Sequence, residues 1–194
     1  MSETEISTPN EFSLSGQLLI AMPNMLDPSF AGSVVYLCEH SGKGAMGLVI
    51  NRPTDLDIQS LLEKIDLDVE ANLPTHFPVM MGGPVASERG FVLHTQPLDW
   101  NSSLKVNDEL SLTTSRDILE AVARGEAPGK WLITLGYAGW GEGQLEEELA
   151  QNAWLTVPAN HEILFDTPLE ERFSRAYALL GIDPTLMTGA AGHA

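Results

Sequence analysis

Two apolar, β-branched segments, "SVVYLCEH" and "AMGLVIN", are separated only by "SGKG". That pattern predicts a β-hairpin and commits the centre of the N-terminal half to antiparallel pairing. "GQLLIAM" precedes it as another alternating strand, followed by "PNMLDPSF", a loop broken by two prolines. Further along, "FPVMM" and "RGFVLHT" read as strands joined by the turn "GGPVASE", with "ELSLTT", "KWLITLG" and "WLTVPA" after them. Helical periodicity is confined to four stretches. Thr54 and Asp57 form a capping-box pattern ahead of Ile58, Leu61, Leu62 and Ile65, and Thr114 with Asp117 caps Ile118, Leu119, Val122 and Ala123 up to a stop at Gly125. A third helix spans 144–153 with Leu145 and Leu149 inward. A fourth opens at Thr167 and Pro168, carries Phe173, Ala176, Tyr177 and Leu180, and stops at Gly181. Strands arrive in hairpins and helices interrupt them irregularly, so the class is α+β rather than a doubly wound parallel sheet, and the glycine-marked corners also permit a small barrel.

A chain of 194 residues suits one domain that buries about 70% of its unfolded surface. Residues 1–12, polar and acidic, read as a loose tail, and 13–194 as a single domain. No apolar run approaches the ~20 residues of a membrane span, the N-terminus has no signal-peptide pattern, and one cysteine, Cys38, excludes an internal disulfide. These features point to a cytoplasmic protein without a membrane partner. Net charge is −17, no Lys or Arg precedes Lys43, and only Arg172 and Arg175 fall close together on one predicted helix. A nucleic-acid partner needs a clustered positive face to displace counterions, and none is assembled here.

The chemistry-bearing motifs are incomplete. Gly139, Gly141 and Gly143 give G-x-G-x-G, but Gln144 stands where a dinucleotide fingerprint needs glycine, and Glu146, Glu147 and Glu148 would repel a phosphate at the following helix. A tight strand-to-helix turn needing unusual backbone angles explains the glycines. Tyr137 and Trp140 within it either plug the core or wall a cleft. Of the histidines His40, His76, His94, His161 and His193, none has zinc spacing, and "HEILF" has Phe165 where a zinc protease requires its second His, so neither a metal nor a cofactor is expected. In "CEH" a regular strand puts Cys38 and His40 on one face and Glu39 on the other, and Cys38 reads as a small buried apolar residue. No G-x-S-x-G elbow exists. Arg52, leaving a strand in "NRP", clamps a carboxylate or pairs with an acidic neighbour; Gly82 and Gly83 form a plain turn or offer backbone N–H groups to an anion.

Four segments together carry a resemblance: "GQLLIAMPNMLDPSFAGSVVYLCEHSGKGAMGLVINRP", "GGPV" with "RGFVLH", "YAGWGEGQLEEEL" with "AWL", and the terminal "GHA". From about Ser13 to the C-terminus the chain resembles the YqgE/AlgH family of bacterial proteins. That resemblance implies a single domain of unusual topology, with a mixed, bifurcated sheet that includes a small closed β-barrel flanked by helices. It implies no particular chemistry, although one branch is labelled a transcriptional regulator of alginate production. An acidic chain without a basic recognition helix would act on transcription through another protein or a metabolite.

Two functional classes follow. In one, the chain is a non-catalytic regulatory or binding module. An unidentified protein or small molecule meets Asn51, Arg52, Gly82, Gly83, Tyr137, Trp140 and Gln144 around a shared hollow. In the other, it is an enzyme whose acid–base groups come from His40, His94, Glu146 or Glu148. An imidazole near a carboxylate in a cleft favours the enzyme, and histidines buried singly favour the binder.

Overall fold

The computed structural model describes residues 13–70, 78–96, 100–127 and 129–181, so His76, His193, the N-terminal tail and the closing "GHA" lie outside the described residues. The strands are β1 (Gln17–Ala21), β2 (Val34–Ser41), β3 (Gly44–Val49), β4 (Pro53–Asp57), β5 (Pro78–Met81), β6 (Val85–Thr95), β7 (Ser103–Lys105), β8 (Leu110–Thr113), β9 (Trp131–Trp140) and β10 (Trp154–Pro158). The helices are α1 (Ile58–Lys64), α2 (Arg116–Ala123), α3 (Gln144–Ala150) and α4 (Leu169–Leu179), with a π-helical turn at Glu162–Asp166.

As the apolar alternation requires, β2 and β3 pair antiparallel, with Ser41 opposite Gly44 across a two-residue loop. The main path runs β10-β1-β2-β3-β9-β6-β8-β7, and its two ends do not meet. The expected closed barrel is therefore corrected to a curled, open half-barrel: among the described residues β10 and β7 keep unpaired outer edges. The sheet forks instead of closing. One edge of β9 pairs with β6; its other edge is shared, parallel to β5 at Thr134 and Leu135 and antiparallel to β3 from Ala138 to Trp140. The remaining strand, β4, hangs on β5. The two segments either side of "GGPV" are thus not a hairpin: they lie on opposite edges of β9.

Backbone crowding at this fork dictates its glycines. A Cβ on Gly82 would stand 2.3 Å from the Gly136 carbonyl oxygen, and one on Gly83 would stand 2.1 Å from the Tyr137 backbone. Neither distance is tolerable, so only glycine lets β5 leave β9 here. The Gly82 N–H donates to Leu135 O at 2.8 Å and its carbonyl accepts from Val49 N–H at 2.8 Å, which ties both limbs together.

The first of three cores is shared by both limbs, since Phe91, Leu93, Leu110 and Leu112 pack into it beside the β1–β3 residues. On one face of the β1–β3 limb, Leu18, Ile20, Val34, Tyr36, Leu48 and Ile50 pack beneath α4 and the π-helical turn. On the other face Leu19, Val35, Leu37, Trp140, Leu145 and Trp154 form a second core under α3. The third core, including Val79, Val92 and Ile133, is covered by α1 and α2. Three helix caps fall later than the sequence expectation, by three residues in α1, by one in α2, and by one in α4, where Pro168 rather than Thr167 holds the cap position. Asp57, not Thr54, caps α1 by accepting from Ser60 N–H at 2.7 Å, because Thr54 lies in β4 and donates to Val79 O. Ser115, not Thr114, occupies the cap position of α2.

Candidate functional site

β9 continues through Tyr137, Ala138 and Gly139 to Trp140, so the glycine-rich stretch is strand, and the turn proper is Gly141 to Gly143. Only Gly143 among the three glycines of G-x-G-x-G has a left-handed backbone, φ +73. The unusual-angle explanation therefore fails for Gly139 and Gly141. A Cβ on Gly139 would sit 3.4 Å from Tyr137 Cε2 and 3.8 Å from Val85 Cγ2, which is ordinary contact. The fold does not require glycine at 139.

Strand alternation sends the two aromatics apart. Trp140 points into the second core at 5% exposure, stacked on Phe30 with centroids 6.0 Å apart and edge-on to Trp154 at 6.0 Å. Tyr137 turns to the opposite face, half-buried, edge-on to Phe91 at 5.4 Å. Beside it opens a hollow of about 540 Å³, lined by Glu39, Ser41, Lys43, Met46, Val85 and Tyr137, with Gly139 as a gap in its floor. Register explains the gap: Glu39 stands opposite Met46, and Met46 opposite Gly139, so one row across three strands ends on a residue without a side chain. Glu39 and Lys43 form no ion pair among the described residues, although five of the ten Lys and Arg residues do.

A second hollow of about 280 Å³ is lined by Ser29, Val49, Arg52, Met81, Gly83, Pro84 and Ser87. The expected shared rim therefore divides: Arg52 and Gly83 meet in one hollow, Tyr137 lines the other, and Trp140 borders the same hollow as Tyr137 while its indole packs in the second core. Arg52 pairs with no carboxylate among the described residues. Its guanidinium donates to the carbonyls of Ser29, Pro28 (3.2 Å) and Ala31 (2.6 Å), while Asn51 accepts from Val34 N–H at 2.9 Å and donates to Gly32 O at 3.0 Å. Both side chains thus stitch the loop after β1 to the sheet. Gln144 accepts from Gly141 N–H at 3.0 Å, closing the turn into α3.

Among the acid–base candidates, His40 does meet a carboxylate. Its Nδ1 accepts from Leu14 N–H at 3.0 Å, which places the ring proton on Nε2, where it donates to Glu146 Oε1 at 2.5 Å. That hydrogen bond holds the Glu146 carboxyl below its ordinary value. Cys38 and His40 do not share a face as a regular strand would have it. Cys38 is an extra residue, two positions of β2 facing one of β3, and the bulge returns His40 toward Leu14 while Cys38 stays in the first core. Burial raises the Cys38 thiol far above its usual range, so it is held as a neutral thiol. His94 is fully buried; its Nδ1–H donates to Thr95 O at 3.0 Å and its Nε2 accepts from the Thr113 hydroxyl at 2.7 Å. Burial lowers its pKa and keeps it neutral. Glu148 is raised, first by burial, against the opposing indole N–H of Trp140.

Arg172 and Arg175 make no basic face. Arg172 is 2% exposed, bonded to Thr167 O and Ile50 O, with burial lowering it to about 10; Arg175 pairs with Glu162 and Glu171. No group of three metal-ligating His, Cys, Asp or Glu side chains occurs among the described residues, and no described helix is long and apolar enough to cross a membrane. Sequence reasoning missed Glu39, Lys43, Met46 and Val85. The signal for one was available: Lys43 is the first basic residue of the chain.

The sequence pattern described as AlgH-like matches residues 18–185. A UPF0301 protein of Burkholderia vietnamiensis is 56% identical over 192 residues, 97% of this chain and 100% of that one. The solution structure of the AlgH protein from Pseudomonas aeruginosa is 50% identical, with TM-score 0.76 over 100% of both chains. A crystal structure from Corynebacterium diphtheriae, 19% identical over 93% of each chain with TM-score 0.71, shares the fold.

Proposed function

The chain belongs to the AlgH-like family, and on that premise we propose that it is a binding module without turnover, seating a small ligand in the Tyr137–Gly139 hollow. The observation that carries this reading is the contrast among the glycines. Gly82 and Gly83 are imposed by backbone contacts of 2.1–2.3 Å, whereas Gly139 has room for a Cβ, and its lack of a side chain leaves the floor of the hollow open. The hollow's volume is within the range of small-molecule sites, and its lining sets Glu39, Ser41 and Lys43 beside the apolar Met46, Val85 and Tyr137.

The enzyme alternative has less support. His40 and His94 each have both ring nitrogens engaged, so neither keeps a lone pair for a substrate proton. Direct DNA contact is disfavoured by the net charge of −17 and by the burial of Arg172. A cytoplasmic setting is part of the proposal and rests on the single reduced cysteine.

The test is a fragment screen by ¹⁵N NMR on the wild type and on Gly139→Leu. Fragments that shift the Met46, Tyr137 and Gly139 amides are expected for the wild type. They should be lost in the variant, whose melting temperature stays unchanged. Absence of such fragments, or fragments that bind the filled variant equally well, refutes the reading.

A further inference from the structure

We infer that the ligand of this hollow is a zwitterion with an apolar body, the chemistry of a free amino acid with a large apolar side chain. The inference rests on the binding reading above and adds the ligand's class. Three observations carry it. First, the hollow holds one carboxylate, Glu39, and one ammonium, Lys43, and neither has an ionic partner among the described residues. Both side chains are exposed, so their charges are available to a ligand entering the hollow.

Second, both charges are carried by the β2–β3 hairpin. Glu39 is two strands away from Gly139 in the same row, roughly 10 Å at the usual strand spacing. Lys43 sits on the two-residue loop of the β2–β3 hairpin, whose backbone is braced by Lys43 N–H donating to Ser41 Oγ at 3.1 Å. Around β9 the lining is apolar: Met46, the Tyr137 ring and Val85, which is 39% exposed, surround the bare floor at Gly139. An apolar side chain laid over Gly139 therefore leaves an α-ammonium within reach of Glu39 and an α-carboxylate within reach of Lys43. Third, the whole-protein field selects against net anions. A ligand of zero net charge approaches a −17 chain without that repulsion while still using both charged groups.

The experiment is an NMR titration of ¹⁵N-labelled protein with L-phenylalanine, N-acetyl-L-phenylalanine, L-phenylalaninamide and uncharged 3-phenylpropanol. L-Phenylalanine should bind at Met46, Tyr137 and Gly139, and each capped form should bind at least about tenfold more weakly, the loss of one charge-assisted contact. Glu39→Gln should abolish the discrimination against the acetylated form, and Lys43→Met the discrimination against the amide; Gly139→Leu should remove all binding. Equal affinity for free and capped forms in the wild type overturns the zwitterion inference. Binding of 3-phenylpropanol alone, lost in Gly139→Leu, overturns it too but leaves the binding module standing. If no probe binds at this hollow the zwitterion inference is lost, and the fragment screen then decides whether the broader reading goes with it.

Discussion

Replacing Trp140 by alanine tests whether this aromatic belongs to the core, as its 5% exposure and its contacts with Phe30 and Trp154 require. A buried tryptophan removes roughly 150–250 Å² from water. At about 25 cal/mol per Å² that burial is worth roughly 4–6 kcal/mol. Measured truncations of buried aromatics cost about 3–5 kcal/mol, a large share of the 5–15 kcal/mol that holds a typical domain together. For a chain of this length the melting temperature should fall by roughly 6–20 °C. Equilibrium urea unfolding followed by far-UV circular dichroism is the assay, since removing an indole compromises fluorescence as a comparison. Trp140→Phe, which keeps a ring between Phe30 and Trp154, should recover most of the loss. A cost below about 1 kcal/mol for the alanine variant would refute the placement of this ring.

Two further outcomes follow from the fork and from the buried histidine. Gly83→Ala should destabilise by more than about 3 kcal/mol or prevent folding, since a Cβ cannot stand 2.1 Å from backbone, whereas Gly139→Ala should stay within about 1 kcal/mol of wild type; a neutral Gly83→Ala in denaturant titrations would contradict the fork geometry. Stability should decline on acidification. His94 is held below its unfolded pKa, so from about pH 6.5 downward the unfolded chain binds a proton that the folded chain refuses. Asp57, Asp117 and Glu146, also depressed in the fold, extend the loss through the carboxylate range as protonation forfeits their hydrogen bonds. His94→Gln should flatten the upper part of the stability curve between about pH 5 and 7; an unchanged slope there would show that His94 is protonated in the folded state.

The parts of the fold that local chemistry decides were legible in the chain. The β2–β3 hairpin follows from alternation around a glycine turn, and α4 stops where Gly181 adopts a left-handed backbone. What escaped was set by long-range pairing. The bulge at Cys38 exists because β3 pairs out of step there, and nothing in "CEH" alone encodes it. β9 runs on through Gly136 and Gly139 because β3, β5 and β6 each pair with part of it, which overrides the weak strand propensity of glycine. β4 and β7 were missed for the same reason: their sequences are short and partly polar, and β5 and β8 make them strands. The site was half legible. Arg52 and Gly83 do meet, and Tyr137 does border a hollow, but Trp140 turns inward because residues 137 and 140 differ by an odd number along one strand.

The spine shared by three strands has a consequence for how the chain reaches its native state. β9 is synthesised after every partner that it organises: β3 lies about ninety residues upstream, β5 about fifty and β6 about forty. Until it docks, the backbones of the limb built on β1–β3 and the limb built on β5–β8 are joined only by the short β4–β5 pairing and the Val49–Gly82 bond, and the glycines at 82, 83 and 136 have nothing to cross. The two halves of this molecule are therefore not separable folding units, and assembly must wait for a segment that arrives late and closes long loops, a topology expected to fold slowly and all at once.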